Sequence, residues 1–192
     1  MSDIVETRFN SENNQTLKIM YDIDALNPRT EFDTLCTILS SRDNLGDVSI
    51  KSLEELEQWR SDNPIVLEFP LYAYEHGDIS LSMSDSYPYN DTWDAGQIGV
   101  IAITKKDMKN IMEYSNLNKK RIETLTSIAK SEIETYNDYL NGNVYGFEIV
   151  KTVTCDLEHE HDESLDSCWG FYGYDFDSNG IGDHVPDFEK YV

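Results

Sequence analysis

Asp175-Phe176-Asp177-Ser178-Asn179-Gly180-Ile181-Gly182-Asp183 places side-chain oxygens at positions 1, 3, 5 and 9 and glycine at position 6, the first half of a calcium-binding loop. Position 12 should hold a bidentate glutamate and holds Pro186, with Asp187 beside it as a poor substitute. Asp175, Asp177, Asn179 and Asp183 therefore fit an acidic surface turn better than a cation cage. Cys155, His159, His161 and Cys168 bring nitrogen and sulfur ligands together as C-x3-H-x-H-x6-C, a spacing that matches no known zinc ribbon or finger. For nucleophilic chemistry, Cys36 with His76 or Ser167 with His184 can be paired on paper. Neither pair has a nucleophile elbow or an orienting acid. No glycine loop suited to phosphate appears, so no cofactor is expected. A metal-dependent enzyme or a calcium- or zinc-binding module is thus the second reading, and a protein without catalysis the first.

Other residues must position these groups, and the central one of their elements is a strand. Trp93 to Thr104 is the longest nearly uncharged, β-branched run and reads as a buried central strand. Before it, strands are expected at 16–21, 34–40, 65–74 and 79–83, with Pro70 marking an edge or a bulge. Ser52 to Arg60 reads as a helix opened by a capping box, Ser52 with Glu55. After the central strand come a short helix over 106–114 and a long one over 119–140. The long helix has Ile122, Leu125, Ala129, Ile133, Tyr136 and Leu140 on one stripe. Val144 to Cys155 alternates as a long strand, residues 156–166 read as an acidic loop, and Ser167 to Tyr172 as a last strand. Tyr87 and Tyr89 are expected as exposed anchors for a partner. The expected fold is a single α+β domain over 16–192, a mostly antiparallel sheet with two to three helices on one face. A loose arm over 1–15 precedes it and an acidic tail ends it.

Charge narrows the function further. The chain of 192 residues has 37 acids against 15 bases, a formal balance of −22, while 39% hydrophobic residues still supply a core. Such a balance repels nucleic acid and anionic membrane, so direct binding to either is not expected. Residues 43–94 and 142–192 each carry −10, residues 1–42 carry −3, and the helical stretch 95–141 carries +1. Two strand-and-loop segments therefore hold nearly all the excess. Duplex DNA carries one negative charge per about 1.7 Å of axis, so carboxylates at strand spacing can compete for a basic DNA-binding groove. The alternative is acidity that serves only solubility. Three cysteines, no basic and apolar leader at the start and no apolar run of membrane-spanning length lead to an expectation of a cytoplasmic protein with free thiols.

Several stretches together also resemble a known family. They are Asn44-Leu45-Gly46-Asp47, Leu71 to Ser80, Trp93-Asp94-Ala95-Gly96-Gln97-Ile98-Gly99, Glu134 to Gly142, and Asp166-Ser167-Cys168-Trp169-Gly170-Phe171-Tyr172-Gly173. In this order they are similar to a family of small acidic proteins of phages, plasmids and their bacterial hosts, over about residues 20 to 182. Family members usually have serine at Ala95 and histidine-arginine near Ser41-Arg42. The resemblance assigns chemistry to no residue. It implies a setting, that of anti-defence proteins that block restriction or CRISPR nucleases by occupying DNA-binding surfaces.

The expectation is an inhibitor that uses carboxylates in place of phosphates against a basic nucleic-acid-binding protein. The acids assigned to that surface are Glu54, Glu55, Glu57, Asp85, Asp91 and Asp94 in one segment, and Asp156, Glu158, Glu160, Asp162, Glu163 and Asp166 in the other. Whether the two segments share a face, and whether the chain dimerises, the sequence leaves open.

Overall fold

Along the chain run strands β1 (Ile4–Asn10) and β2 (Gln15–Tyr21), helix α1 (Pro28–Glu31), strands β3 (Thr37–Ser40) and β4 (Val48–Ser49), and helix α2 (Leu53–Asp62). Strands β5 (Ile65–His76), β6 (Asp78–Met83) and β7 (Ala95–Thr104) follow, then helices α3 (Lys105–Met112) and α4 (Lys119–Leu140). Strands β8 (Val144–Thr154) and β9 (Glu160–Tyr172), helix α5 (Ile181–His184) and a 3-10 turn at Phe188–Lys190 complete the chain. This computed structural model describes residues 3–84, 86–89, 93–155 and 157–192. The fold is α+β, but the one sheet expected is two, with strand orders β1-β2-β8-β9 and β4-β3-β7-β5-β6. All pairings are antiparallel except β3 with β4. The chain divides into two compact units, Met1–Leu26 with Asp138–Val192, and Asn27–Asn137.

In the second unit β7 is central, as its β-branched run requires, with Ile98 and Val100 to Thr104 buried. Gly99 permits the close crossing of β3. A Cβ there would come within 1.9 Å of the Leu39 carbonyl oxygen. Pro70 pairs with Val100 on one side, and on the other lies one residue beyond the Leu71–Met83 pair, where β6 ends. Its missing N–H therefore falls where the strand is locally an edge, as expected for proline in a sheet. Helix α2 starts as a displaced capping box: Ser52 accepts from Glu55 N, and Glu55 Oε2 accepts from Lys51 N at 2.6 Å. Leu53 in its first turn is 80% exposed, while Leu56 and Trp59 pack on the Leu39, Val100 and Ala102 cluster. In α4 the stripe is buried at Leu125, Ala129, Ile133 and Tyr136.

A polar knot fixes α4 to the segment before β3. The Arg29 side chain is 4% exposed and bonds to both oxygens of Asp47, to Glu132 at 3.1 Å and to the Cys36 carbonyl at 2.6 Å. Glu132 also accepts from Leu35 N, Cys36 N and the Cys36 thiol at 2.6, 3.2 and 2.8 Å. Asp47 accepts from Ile38 N at 2.7 Å. Burial works against the Arg29 charge, but its hydrogen bonds to Asp47 and the nearby negative groups outweigh that and raise its pKa. Tyr136 donates to the Asn44 carbonyl, and Asn137 bonds both the N–H and the carbonyl of Leu81 on β6.

In the first unit, Leu17, Ile19, Tyr145, Phe147, Ile149 and Phe171 form one apolar face. Phe176, Ile181, Val185 and Tyr191 pack on that face, so the acidic tail expected from composition folds back as a core layer. The loose arm is also corrected, because residues 4–10 form β1. Its more covered side carries Glu6, Arg8 and Asn10 while Ile4 and Phe9 are exposed, so no apolar periodicity announces it. Arg8 holds it instead, bonding Asp177 at 3.0 Å and lying 4.9 Å over the Phe188 ring. The acidic loop expected over 156–166 is likewise mostly strand, because pairing with β8 runs from Tyr172 back to Glu160.

Replacing Glu132 by alanine takes from the buried Arg29 one of its two carboxylate partners and leaves the N–H groups of Leu35 and Cys36 without their acceptor. We expect a loss of roughly 3 to 5 kcal/mol of stability, measured by urea unfolding.

Candidate functional site

Four of the twelve acidic residues of 142–192 lie on β9, which ends its sheet. Every residue from Glu160 to Ser167 is exposed. Four carboxylates, those of Glu160, Asp162, Glu163 and Asp166, occupy this run without a lysine or arginine among them. Two bulges shape the strand. Leu165 is the extra residue between the Ile149–Asp166 and Val150–Ser164 pairs. Gly170, at φ 90°, is the extra residue between the Tyr145–Phe171 and Gly146–Trp169 pairs, a conformation that suits glycine. The Trp169 ring lies on Gly146, where a Cβ would come within 2.1 Å of it. The Asp166 to Gly173 stretch thus serves packing at one end and presents charge at the other.

Not all these carboxylates are free to meet a partner. Asp162 bonds Lys18 Nζ at 2.5 Å and Thr152 Oγ1 at 2.9 Å, which hold its carboxyl below the usual aspartate range. Glu163 faces Lys151 in register, and Asp166 accepts from Ser167 N at 2.8 Å. Glu158 stands exposed in the turn, at φ 61°.

The acids of the 43–94 segment belong to the other unit. Glu54, Glu55 and Glu57 are exposed on α2, but Glu55 caps the helix and Glu57 pairs with Arg60 at 2.6 Å. Asp94 lies 2.9 Å from His76 Nδ1, and its carbonyl accepts from Glu75 N. Asp85, Asp91 and Asp156 lie outside the described residues. The nine described acids therefore sit on two units, and four of them share the one strand β9.

The metal-site residues are committed elsewhere. Asp175 accepts from Asp177 N and Ser178 Oγ, Asp177 bonds Arg8, and Asn179 bonds the Gly173 carbonyl and Ile181 N. Asp183 lies in α5. Among the described residues, no group of three or more His, Cys, Asp or Glu side chains is arranged to hold a metal ion. As a nucleophile Cys36 is poorly placed: burial, aided by the Glu132 charge and opposed by Arg29, pushes its thiol far up. His184 packs edge-on against Phe171 at 5.3 Å.

Two features escaped the sequence reading. The first is the Arg29, Asp47, Glu132 and Cys36 knot. The second is a polar cleft where stretches of the resemblance meet, lined by Arg42, Glu75, Trp93, Asp94 and Gln97 among others, with Arg42 and Glu75 paired at 3.0 Å. Trp93, expected inside the central strand, lies before it and is 94% exposed. Of the two tyrosines expected to be exposed, Tyr87 is exposed, at 40%, and Tyr89 is half-buried. Their hydroxyls bond the carbonyls of Ala95 and Ser80. The clue available was the spacing of Tyr72, Tyr74 and His76 on one side of β5, where Tyr74 stacks with both His76 and Tyr89. No family model, curated protein or solved structure matches the chain. Among the described residues no helix is long and apolar enough to cross a membrane.

Two tests follow from this chemistry. Asp162 has a depressed folded pKa, so its contribution to stability is present above the ordinary aspartate value of about 3.9 and is lost as pH falls through the folded value. In Lys18→Met the Asp162 carboxyl should titrate closer to the ordinary value, as read by NMR of the side-chain carboxyl. The backbone N–H groups of Leu157 and His159 lower the Cys155 thiol pKa, whereas that of Cys36 is raised. At pH 7.5 iodoacetamide should alkylate Cys155 first and Cys36 only in denaturant, as resolved by mass spectrometry of the digested protein.

Proposed function

We propose that the protein is a non-catalytic inhibitor that binds the basic, DNA-binding surface of a host defence nuclease, with carboxylates standing where phosphates would. The observation that carries this reading is the exposed run Glu160 to Ser167 on a sheet edge, rich in carboxylates and free of lysine and arginine.

The magnitudes favour a cluster over scattered charges. Alternate residues of a strand lie about 6.7 Å apart, less than the Debye length of about 10 Å at 0.1 M salt. The carboxylates of β9 therefore act on an approaching cation jointly. The formal balance of −22 adds a long-range field that would speed encounter with a basic partner. The line of charge is sparser than on DNA. Four acids over the seven residues from Glu160 to Asp166 occupy about 20 Å, where duplex DNA has about twelve phosphates. That density fits a partner groove a few lysines or arginines deep better than a long duplex track. The resemblance to small acidic proteins of phages and plasmids supports a defence nuclease as the partner class.

The experiment measures plasmid cleavage by a panel of restriction and CRISPR nucleases with rising amounts of the protein. Protection of at least one nuclease is expected, weakening ten- to hundredfold between 50 and 200 mM salt. The combined variant Glu158→Gln, Glu160→Gln, Glu163→Gln and Asp166→Asn should keep its melting temperature and lose protection at least tenfold. Protection that ignores salt, or that survives in this variant, would overturn the reading.

A further inference from the structure

The edge of β9 offers more than charge. Its inner side is taken by β8 over the whole strand, and the sheet order places no strand on its outer side. Among the described residues, the backbone of Glu160 to Ser167 has one further hydrogen bond, from Ser167 N to the neighbouring Asp166 carboxylate. A row of peptide groups about 25 Å long thus faces water. Such an edge is a template for one more strand.

Charge decides what that strand can be. A second copy of β9 would set acid against acid, and like charges directly opposite destabilise a strand pair. An apolar strand would find few apolar side chains on β9, since only Leu165 in the exposed run is hydrophobic. An extended segment with lysine or arginine at alternate positions meets carboxylates instead and still satisfies the open peptide groups. We propose that β9 takes up an extended lysine- or arginine-rich segment of the partner protein as a fifth strand of the β1-β2-β8-β9 sheet. This rests on the reading of β9 as an acidic docking strand and specifies how the partner engages it. The bulge at Leu165 sets a boundary. It interrupts regular pairing, so the added strand would run along Glu160 to Ser164.

The test uses the full-length protein and synthetic peptides. The probes are an alternating lysine-threonine nonapeptide, the same peptide N-methylated at every second residue, and an alternating glutamate-threonine control. N-methylation keeps the charge and removes the N–H groups that strand addition needs. Isothermal titration at 50 mM salt should show the lysine peptide binding at least tenfold more tightly than its N-methylated form, with no binding of the glutamate peptide. Hydrogen exchange should slow at amides between Glu160 and Ser164 only with the unmethylated peptide. Equal binding of the two lysine peptides would overturn strand addition and leave a purely electrostatic docking surface. Absence of binding by any peptide would also overturn it, while nuclease protection judges the acidic surface separately. In Glu160→Gln with Glu163→Gln, a pair that leaves the Lys18 bond to Asp162 intact, the lysine peptide should lose at least fivefold in affinity. Unchanged affinity would overturn the role assigned to charge.

Discussion

The second unit depends on the guanidinium of Arg29. A cation so enclosed is tolerable only when its donors meet acceptors, and Asp47, Glu132 and the Cys36 carbonyl supply them. Each acceptor belongs to a different piece of the unit: Asp47 to the turn leading to β4, Glu132 to α4, Cys36 to the segment entering β3. Removing Arg29 would therefore loosen three connections at once. The thiol beside it is held protonated by the same surroundings, which turns a cysteine that looks reactive on paper into a structural one.

On the first unit, the comparable constraint is the pairing of β8 with β9. The β8 strand has an inner stretch, Val144 to Val150, largely buried in the sheet, and an outer stretch, Lys151 to Thr154, largely exposed. The register carries β9 out with it, which places a polar, acidic segment in a strand that its composition alone does not favour. Lys18 and Lys151 each meet one acid, so the ribbon is partly neutralised near β2 and more negative toward its turn.

These two cases show why parts of the structure were legible in the sequence and others were not. Strand β7 and helix α4 announce themselves because their burial follows one local period, and their boundaries match the expectation closely. Strand β1 and the outer half of β9 bury no apolar face, so periodicity has nothing to report. The tail after Gly173 looked acidic because its four buried residues, Phe176, Ile181, Val185 and Tyr191, are spaced by turns and not by a regular period. The knot around Arg29 was invisible for a different reason: Arg29 and Glu132 are 103 positions apart. For the candidate surface, the sequence identified the carboxylates but not their commitments, since only the fold brings Lys18 to Asp162, His76 to Asp94 and Arg8 to Asp177.

The bonding of Phe9 to Val192 bears on how the molecule comes together. Backbone N–H and carbonyl of Phe9 each bond to those of Val192, and β2 pairs with β8 across more than a hundred intervening residues. During synthesis, then, the strands β1 and β2 leave the ribosome early and have no sheet to join until β8 emerges. The contiguous segment Asn27–Asn137 has no such wait, since its pairings lie within itself. Order of assembly is thus written into the connectivity, with the inserted unit able to fold first and the interrupted one held open until β8 and β9 are made.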